Sequence, residues 1–437
     1  MDKICRLPRP PTQLFAKNRT RLFAALEKRV TGPFLVHVEG GKQKLRNADV
    51  DLVFRQESDF LWLTGCDYPD CSIVLDSVGK KAILFVPKPD ERYAVWHGTP
   101  ETLEQIKSKF GIDVQYDEDK MKMFGMQNKM RLVLELSAKE PAGVMGPTSV
   151  LRTVINELRS IKTEEEIALM KAISKVSSDA HAHVMKIVTP GSYEFQLESE
   201  FYNYCGIRGM RHQAYLPIVG TGKNGAVLHY MTNTDEIKDG DLVLIDAGGE
   251  LSGYASDITR TFPANGKFTP LQKEVYEIVL NCQKKCIERI KPGLDFNLEL
   301  KVLAEEFLLE GLLKAEFIQG PMVMLKRNKI ARVFMPHGLG HLLGLDVHDT
   351  SMYPKVPLAE GMIVTIEPGI YFNGYLIDEA FKNEEVVKFL NTKKIEKCRN
   401  FGGIRIEDDI LVTKDGYENL TVIAKETSEI EAIMAST

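Results

Sequence analysis

Four carboxylates in this chain stand at or just beyond short apolar runs, where a bare negative charge is costly unless something answers it. Two fall in GDLVLIDAGGELSGYASDITRTF, Gly240 to Phe262: Asp246 and Asp257. Leu242 to Ile245 is an unbroken apolar run, the mark of a strand buried on both faces, bounded by Asp239-Gly240 and Gly248-Gly249 turns. In the next run Ala255, Asp257 and Thr259 alternate with Ser256, Ile258 and Arg260, so a period of two turns Asp257 and Thr259 the same way. A hairpin through Gly253 then brings the aspartates together. Two carboxylates in a buried sheet either protonate or hold a cation between them. The competing reading has Asp246 capping the Gly248-Gly249 turn and Asp257 facing water.

The layout recurs. EGMIVTIEPG, Glu360 to Gly369, has the form of DGDLVLIDAG: an acidic-Gly turn, a largely apolar run, a carboxylate, one small residue and a glycine. Glu367 is the counterpart of Asp246. GGIRIEDDILV then offers Arg405, Glu407 and Asp409 on one face, and Glu407 is read as answering Asp257. PGSYEFQLE at Pro190 and PGLDFNLE at Pro292 each read as Pro-Gly followed by a helix, one ahead of each carboxylate pair. Two halves that each deliver two carboxylates imply a duplicated, pseudo-twofold sheet with a site at its centre.

A third stretch, FMPHGLGHLLGLDVHD, carries His337, His341 and His348, three of the nine histidines within twelve residues. Glycines on both sides of Leu339 disfavour a regular helix, so this is not the HExxH layout of zinc proteases. Satisfied core histidines would account for one of the three. A literal GxGxxG at Gly220, Gly222 and Gly225 lacks the helix that a dinucleotide needs; AVLHY follows as a strand pattern and DEIKDG breaks the chain.

The elements that must position these residues fall into two domains, 1–158 and 159–437. Helix near Pro11 to Val30 is followed by strand candidates FLVHV, LVFRQ, FLWLTG, CSIVLD, KAILFVP and RLVLEL, with an amphipathic helix from Glu101 to Gly111: an α/β domain. Thr163 and Glu166 form a capping box that opens a long helix to about Val188. A formal net charge of −5 over 437 residues argues against nucleic acid and anionic membranes as partners. No apolar stretch reaches the roughly twenty residues of a membrane span, and the N-terminus has no signal-peptide core, so a cytoplasmic protein is expected. The seven cysteines have no CxxC spacing and read as reduced thiols; Cys282 and Cys286 share a helix face as packed residues.

At LIDAGG, ASDITR, HGLGH, IEPG and RIEDD the sequence resembles the metal-dependent pita-bread peptidases, which include methionine aminopeptidase, aminopeptidase P and prolidase. The similarity is greatest to the prolidase (Xaa-Pro dipeptidase) branch, through FRQESDFLWLTG, GMRHQAY, AVLHY, FPANGKFT and EPGIYF, and covers nearly the whole chain. The resemblance implies an α+β pita-bread (creatinase/aminopeptidase) C-terminal domain behind the α/β domain. It implies metal ligands Asp246, Asp257, His341, Glu367 and Glu407. It implies that His229, His337, His348 and Arg405 contact substrate and the tetrahedral intermediate, with Tyr215 a further substrate contact or a packed strand aromatic. A homodimer is implied on the same footing.

Four carboxylates and one imidazole are a hard, oxygen-rich set suited to Mn2+, and their charge calls for two divalent ions with a hydroxide between them. Glu367 is also placed to carry a proton. The expected reaction is hydrolysis of the Xaa-Pro bond in dipeptides or short peptides. The alternatives are aminopeptidase P activity on longer Xaa-Pro peptides and a catalytically silent binding protein, which is expected to lose ligands. One departure from the prolidase pattern stands out: TSMYPKVPLAEGM is short and lacks the arginine of that segment, leaving Lys355 its one cation.

Overall fold

The computed structural model describes residues 6–120, 132–136, 147–350, 354 and 356–436. Lys355 lies outside them. The chain divides into a unit of Arg9–Arg159 with Thr163–Glu166 and a larger one comprising Ile167–Thr437 with Ser160–Lys162.

The first unit is built on a mixed five-stranded sheet. In chain order its strands are β1 (Phe34–Glu39), β2 (Ser72–Asp76), β3 (Lys81–Val86), β4 (Asp113–Tyr116) and β5 (Leu132–Leu136), arranged β4-β3-β2-β1-β5. β1, β2 and β3 pair antiparallel, while β4 and β5 add in parallel at the two edges. FLWLTG, expected as a strand, is instead helix α1 (Ser58–Thr64). A short apolar run reads alike in a buried strand and a buried helix; here the ends decide. The Glu57 side chain accepts the Phe60 N–H at 2.7 Å, and Gly65 closes the helix at φ 66°. Asn18 and Arg19 take the carbonyls of Trp62 and Leu63. LVFRQ also forms no strand.

The second unit carries the expected duplication. In the first half β6 (Leu242–Asp246) pairs antiparallel with β9 (Thr259–Pro263), and the ladder continues as β7 (Gly249–Leu251) against β8 (Tyr254–Ala255), in one register throughout. In the second half β10 (Ile363–Ile366) pairs with β13 (Asp408–Val412), and β11 (Gly369–Tyr371) with β12 (Gly403–Arg405), again in one register. The halves join edge to edge where Thr259 bridges Glu407.

That register corrects two expectations. Asp257 lies in no strand; it sits where the chain passes from β8 to β9, so Ser256, Asp257, Thr259 and Arg260 are all buried instead of alternating. Ile245 faces Arg260 and Ile366 faces Asp408, so Glu407 stands in the place of Thr259, and the place of Asp257 is held by Arg405. Positions two apart share a face, which is why both carboxylates still reach one side of the sheet. AVLHY, expected as a strand, follows a 3-10 turn over Gly222–Ala226 without pairing, and no βαβ unit exists there.

The segment around His341 runs beside β10: Thr365 N–H bonds the His341 carbonyl at 2.9 Å and Glu367 N–H the Leu339 carbonyl at 2.8 Å. A Cβ on Gly340 would come within 1.9 Å of the Thr365 carbonyl oxygen, so glycine is what lets the two backbones approach.

Candidate metal centre

All ten residues singled out above, Tyr215, His229, Asp246, Asp257, His337, His341, His348, Glu367, Arg405 and Glu407, line one cavity of about 500 Å3. They arrive from both halves of the second unit because the two ladders join where Thr259 bridges Glu407. Asp246 ends β6, Glu367 follows β10, Arg405 ends β12, and Glu407 falls between the strands of the second ladder.

The centre is rich in acceptors. His341 Nε2 lies 3.2 Å from Asp257 Oδ2 and 3.7 Å from Glu367 Oε1. Its Nδ1 is 3.1 Å from the Leu342 carbonyl, which can only accept, so Nδ1 carries a proton and Nε2 is the nitrogen that faces the carboxylates. Donor atoms of Asp257, His341 and Glu407 all fall within 4.8 Å of one another. Tyr215 Oη contacts Asp257 Oδ1 at 2.5 Å and also Asp246 Oδ1, although it has one proton to give. Burial and then Asp246 push Asp257 well above the usual carboxylate range; burial and then Asp257 do the same to Glu407. Glu367 is raised to about 8, by burial and then by Glu407. Carboxyls that resist ionising when brought together in a buried site, gathered around one imidazole nitrogen, fit divalent cations.

A single guanidinium faces this cluster. Arg405 donates to Asp246 Oδ2 at 2.7 Å, to Tyr371 Oη at 2.8 Å and to Thr259 Oγ1 at 3.2 Å, while Thr259 donates to Glu407 Oε2 at 2.6 Å. His337 directs Nδ1 to the Gly338 carbonyl at 2.7 Å and Nε2 to Tyr371 Oη at 2.9 Å. Burial, then Arg405, lowers its pKa to about 4, so it is neutral and Nε2 accepts the Tyr371 proton. Both ring nitrogens are therefore engaged by the protein. His348 and His229 remain exposed to the cavity, with the His348 ring edge-on to His341 at 4.3 Å between centroids.

His229 owes its place to Glu194. This fully buried carboxylate, at the start of α-helix Glu194–Gly206, accepts from Thr221 N–H, Asn224 Nδ2, Tyr230 Oη and Asp235 N–H at 2.8–3.0 Å. It thereby ties down the stretch on both sides of His229.

Sequence reasoning missed Tyr371, the hub between His337 and Arg405. The signal was present in EPGIYF: Glu367, Gly369 and Tyr371 share one face at a period of two. A Cβ on Gly369 would meet the Tyr371 ring at 2.7 Å, so the glycine is the space into which that ring folds. Asp409, which the sequence places only on the face of Arg405 and Glu407, accepts the Asp257 N–H at 3.2 Å and the Ser174 hydroxyl at 3.1 Å, fixing Asp257 where no strand does.

Residues 168–414 match metallopeptidase family M24, and residues 15–131 match the aminopeptidase P N-terminal domain. Human Xaa-Pro dipeptidase is 39% identical over 97% of this chain and 94% of its own length. A probable Xaa-Pro aminopeptidase of Botryotinia fuckeliana is 37% identical over 87% of each. Among solved structures, Escherichia coli aminopeptidase P with the inhibitor Pro-Leu superposes with a TM-score of 0.85 at 32% identity, covering 98% of this chain and 99% of that one. With a buried carboxylate-imidazole cluster on the axis of a duplicated sheet, and this similarity over nearly its full length, the chain belongs to metallopeptidase family M24.

Proposed function

We propose that this protein hydrolyses the peptide bond before proline in Xaa-Pro dipeptides, using two divalent ions, most fittingly Mn2+, held by Asp246, Asp257, His341, Glu367 and Glu407. The observation that carries the reading is His341 Nε2 placed 3.2 Å from Asp257 and 3.7 Å from Glu367 among buried carboxyls driven toward protonation. Bound there, the ions supply a water nucleophile at neutral pH and polarise the scissile carbonyl.

The chain's own residues do the rest. Glu367, ionised once it holds metal, would take a proton from the attacking water and return it to the leaving proline nitrogen. Arg405 and Tyr371 hold Asp246 and His337 in place, and His229 and His348 offer ring nitrogens to the substrate carbonyl and its developing oxyanion. Tyr215 orients Asp246 and Asp257.

A second reading, aminopeptidase P action on longer peptides, is favoured by one observation. Among the described residues lining the cavity the one permanent cation is Arg405, already committed to Asp246 and Tyr371, so none is left for the free carboxylate of a dipeptide. The discriminating measurement is kcat/KM for Ala-Pro, Ala-Pro amide and Ala-Pro-Ala with Mn2+. A dipeptidase loses strongly on amidation; equal rates for all three select the second reading; inactivity on all three rejects both.

The same proposal includes a domain boundary at 158/159 and a homodimer, supported by apolar side chains left open on the first unit, Val53 at 79%, Val95 at 73% and Trp96 at 69% exposure. It also includes a cytoplasmic location, supported by six described cysteines that are all free and buried. Among the described residues no helix is long and apolar enough to cross a membrane.

A further inference from the structure

One buried ion pair stands outside the chemistry described so far. Lys162 Nζ lies 3.0 Å from Asp349 Oδ2, with both side chains 1% exposed. Removing two charges from water costs more than their attraction returns in most interiors, so such a pair is poor material for stability alone. Its surroundings indicate a different use. Asp349 follows His348, which opens onto the cavity, and its backbone N–H bonds the Leu342 carbonyl at 2.9 Å, next to His341. Its second oxygen accepts the Thr350 N–H at 3.1 Å. Lys162 is itself fixed, its N–H bonding the Gly361 carbonyl at 2.8 Å at the turn into β10.

A Cβ on Gly344 would come within 2.4 Å of Asp349 Oδ2 and 2.8 Å of Lys162 Cε, so the glycine backbone lies directly against the pair. The Gly344 carbonyl accepts the Ala255 N–H at 2.9 Å, two residues before Asp257. One ammonium thus stands behind the backbone of the segment that carries His341 and His348.

We propose that Lys162 is a positioning residue: through Asp349 it fixes the place of the His348 ring in the cavity. The kinetic consequence rests on the function proposed above, whereas the placement of the ring does not. Groups that orient a site's ligands and contacts typically cost 10- to 100-fold when lost.

The test uses the full chain in two parallel measurements. In the first, kcat/KM for an Xaa-Pro substrate is measured for Lys162→Met in the wild-type and His348→Ala backgrounds, with metal content determined on each. A loss of at least about tenfold is expected in the first background and at most about twofold in the second, with metal retained. In the second, the His348 signal is followed by 13Cε1 NMR, assigned from His348→Ala, without substrate; it is expected to broaden or shift in Lys162→Met while the distant His183 signal stays. Should Lys162→Met not fold, Lys162→Met/Asp349→Asn takes its place, since it leaves no unpaired buried charge. Equal losses in both backgrounds, or an unmoved His348 signal, overturn the proposal. A wild-type protein inactive on every Xaa-Pro substrate overturns the proposed function instead, and the NMR result still decides this one.

Discussion

Stripping the metal from this site is predicted to load it with protons. Glu367 is raised to about 8, so at pH 7 about nine-tenths of it is protonated in the metal-free protein. Asp257 and Glu407 are pushed well above their usual range as a close pair, by burial and by the neighbouring carboxylates, which favours proton uptake in the same direction. Binding Mn2+ must expel these protons, because a carboxylate coordinates in its ionised form. Glu367 alone accounts for about one proton released per chain at pH 7, a contribution that falls away as pH rises past its value to 9. Titration calorimetry of the chelated protein with Mn2+, in buffers of different ionisation enthalpy from pH 6 to 9, reads this number directly. The sign for stability follows from the same shift. Glu367's folded value lies above its ordinary 4.5, so its contribution is complete below about 4.5 and is lost as pH climbs through 8. The gap corresponds to at most about 5 kcal/mol, an upper limit because the side chain is 19% exposed to the cavity. The metal-free protein should lose thermal stability between pH 5 and 8, and the loaded protein should not. Binding heats that do not depend on the buffer at pH 7 would refute the reasoning.

Asp246→Asn should remove charge beside both ion positions, abolishing hydrolysis and lowering Tm while the fold still forms; elemental analysis returning two ions per chain would contradict the ligand assignment. His229→Ala should lower turnover about 10- to 1,000-fold with metal retained, and its refutation is either metal loss or unchanged kcat. Gly340→Ala should force β10 and the His341 segment apart, seen as at least about 3 kcal/mol in denaturant unfolding together with weakened metal binding; a change under about 1 kcal/mol would mean the two backbones can part cheaply.

Part of the centre could be read from the chain because Asp246 ends one buried strand and Glu367 follows another, and β6 and β10 announce themselves as apolar runs leading to a carboxylate. The repeated acidic-Gly layout likewise exposed the duplication. What could not be read was register, a property of two segments and not of either alone. Nothing in RIEDD says that Glu407 faces Thr259, or that Arg405 takes the place of Asp257. Asp257 looked like a strand residue because its neighbours alternate, yet the ladder pauses there and Asp409 holds it instead. FLWLTG misled for the opposite reason: its helix is specified by Glu57 and Gly65 at the ends, and the apolar run between them carries no period. Tyr371 was hidden because its importance lies in a ring folding over a glycine two residues back.

The two ladders are closed by very different lengths of chain. Ser252 and Gly253, with φ of 52° and 86°, turn the first within two residues, whereas the second waits for residues 372–402 to be laid down. Local hairpins form in about 1–10 μs, while pairings across long separations are slow, and the seam from Thr259 to Glu407 spans the longest separation in the sheet. Assembly should therefore run from Asp246 and Asp257 outward, with the carboxylates of Glu367 and Glu407 arriving late. Asp257 would then take its final place only when Asp409 docks against it, so the full set of carboxylates is assembled by the last strand. Pulse-labelled hydrogen exchange should accordingly protect 242–263 before 403–412, and simultaneous protection would mean the seam itself nucleates the domain.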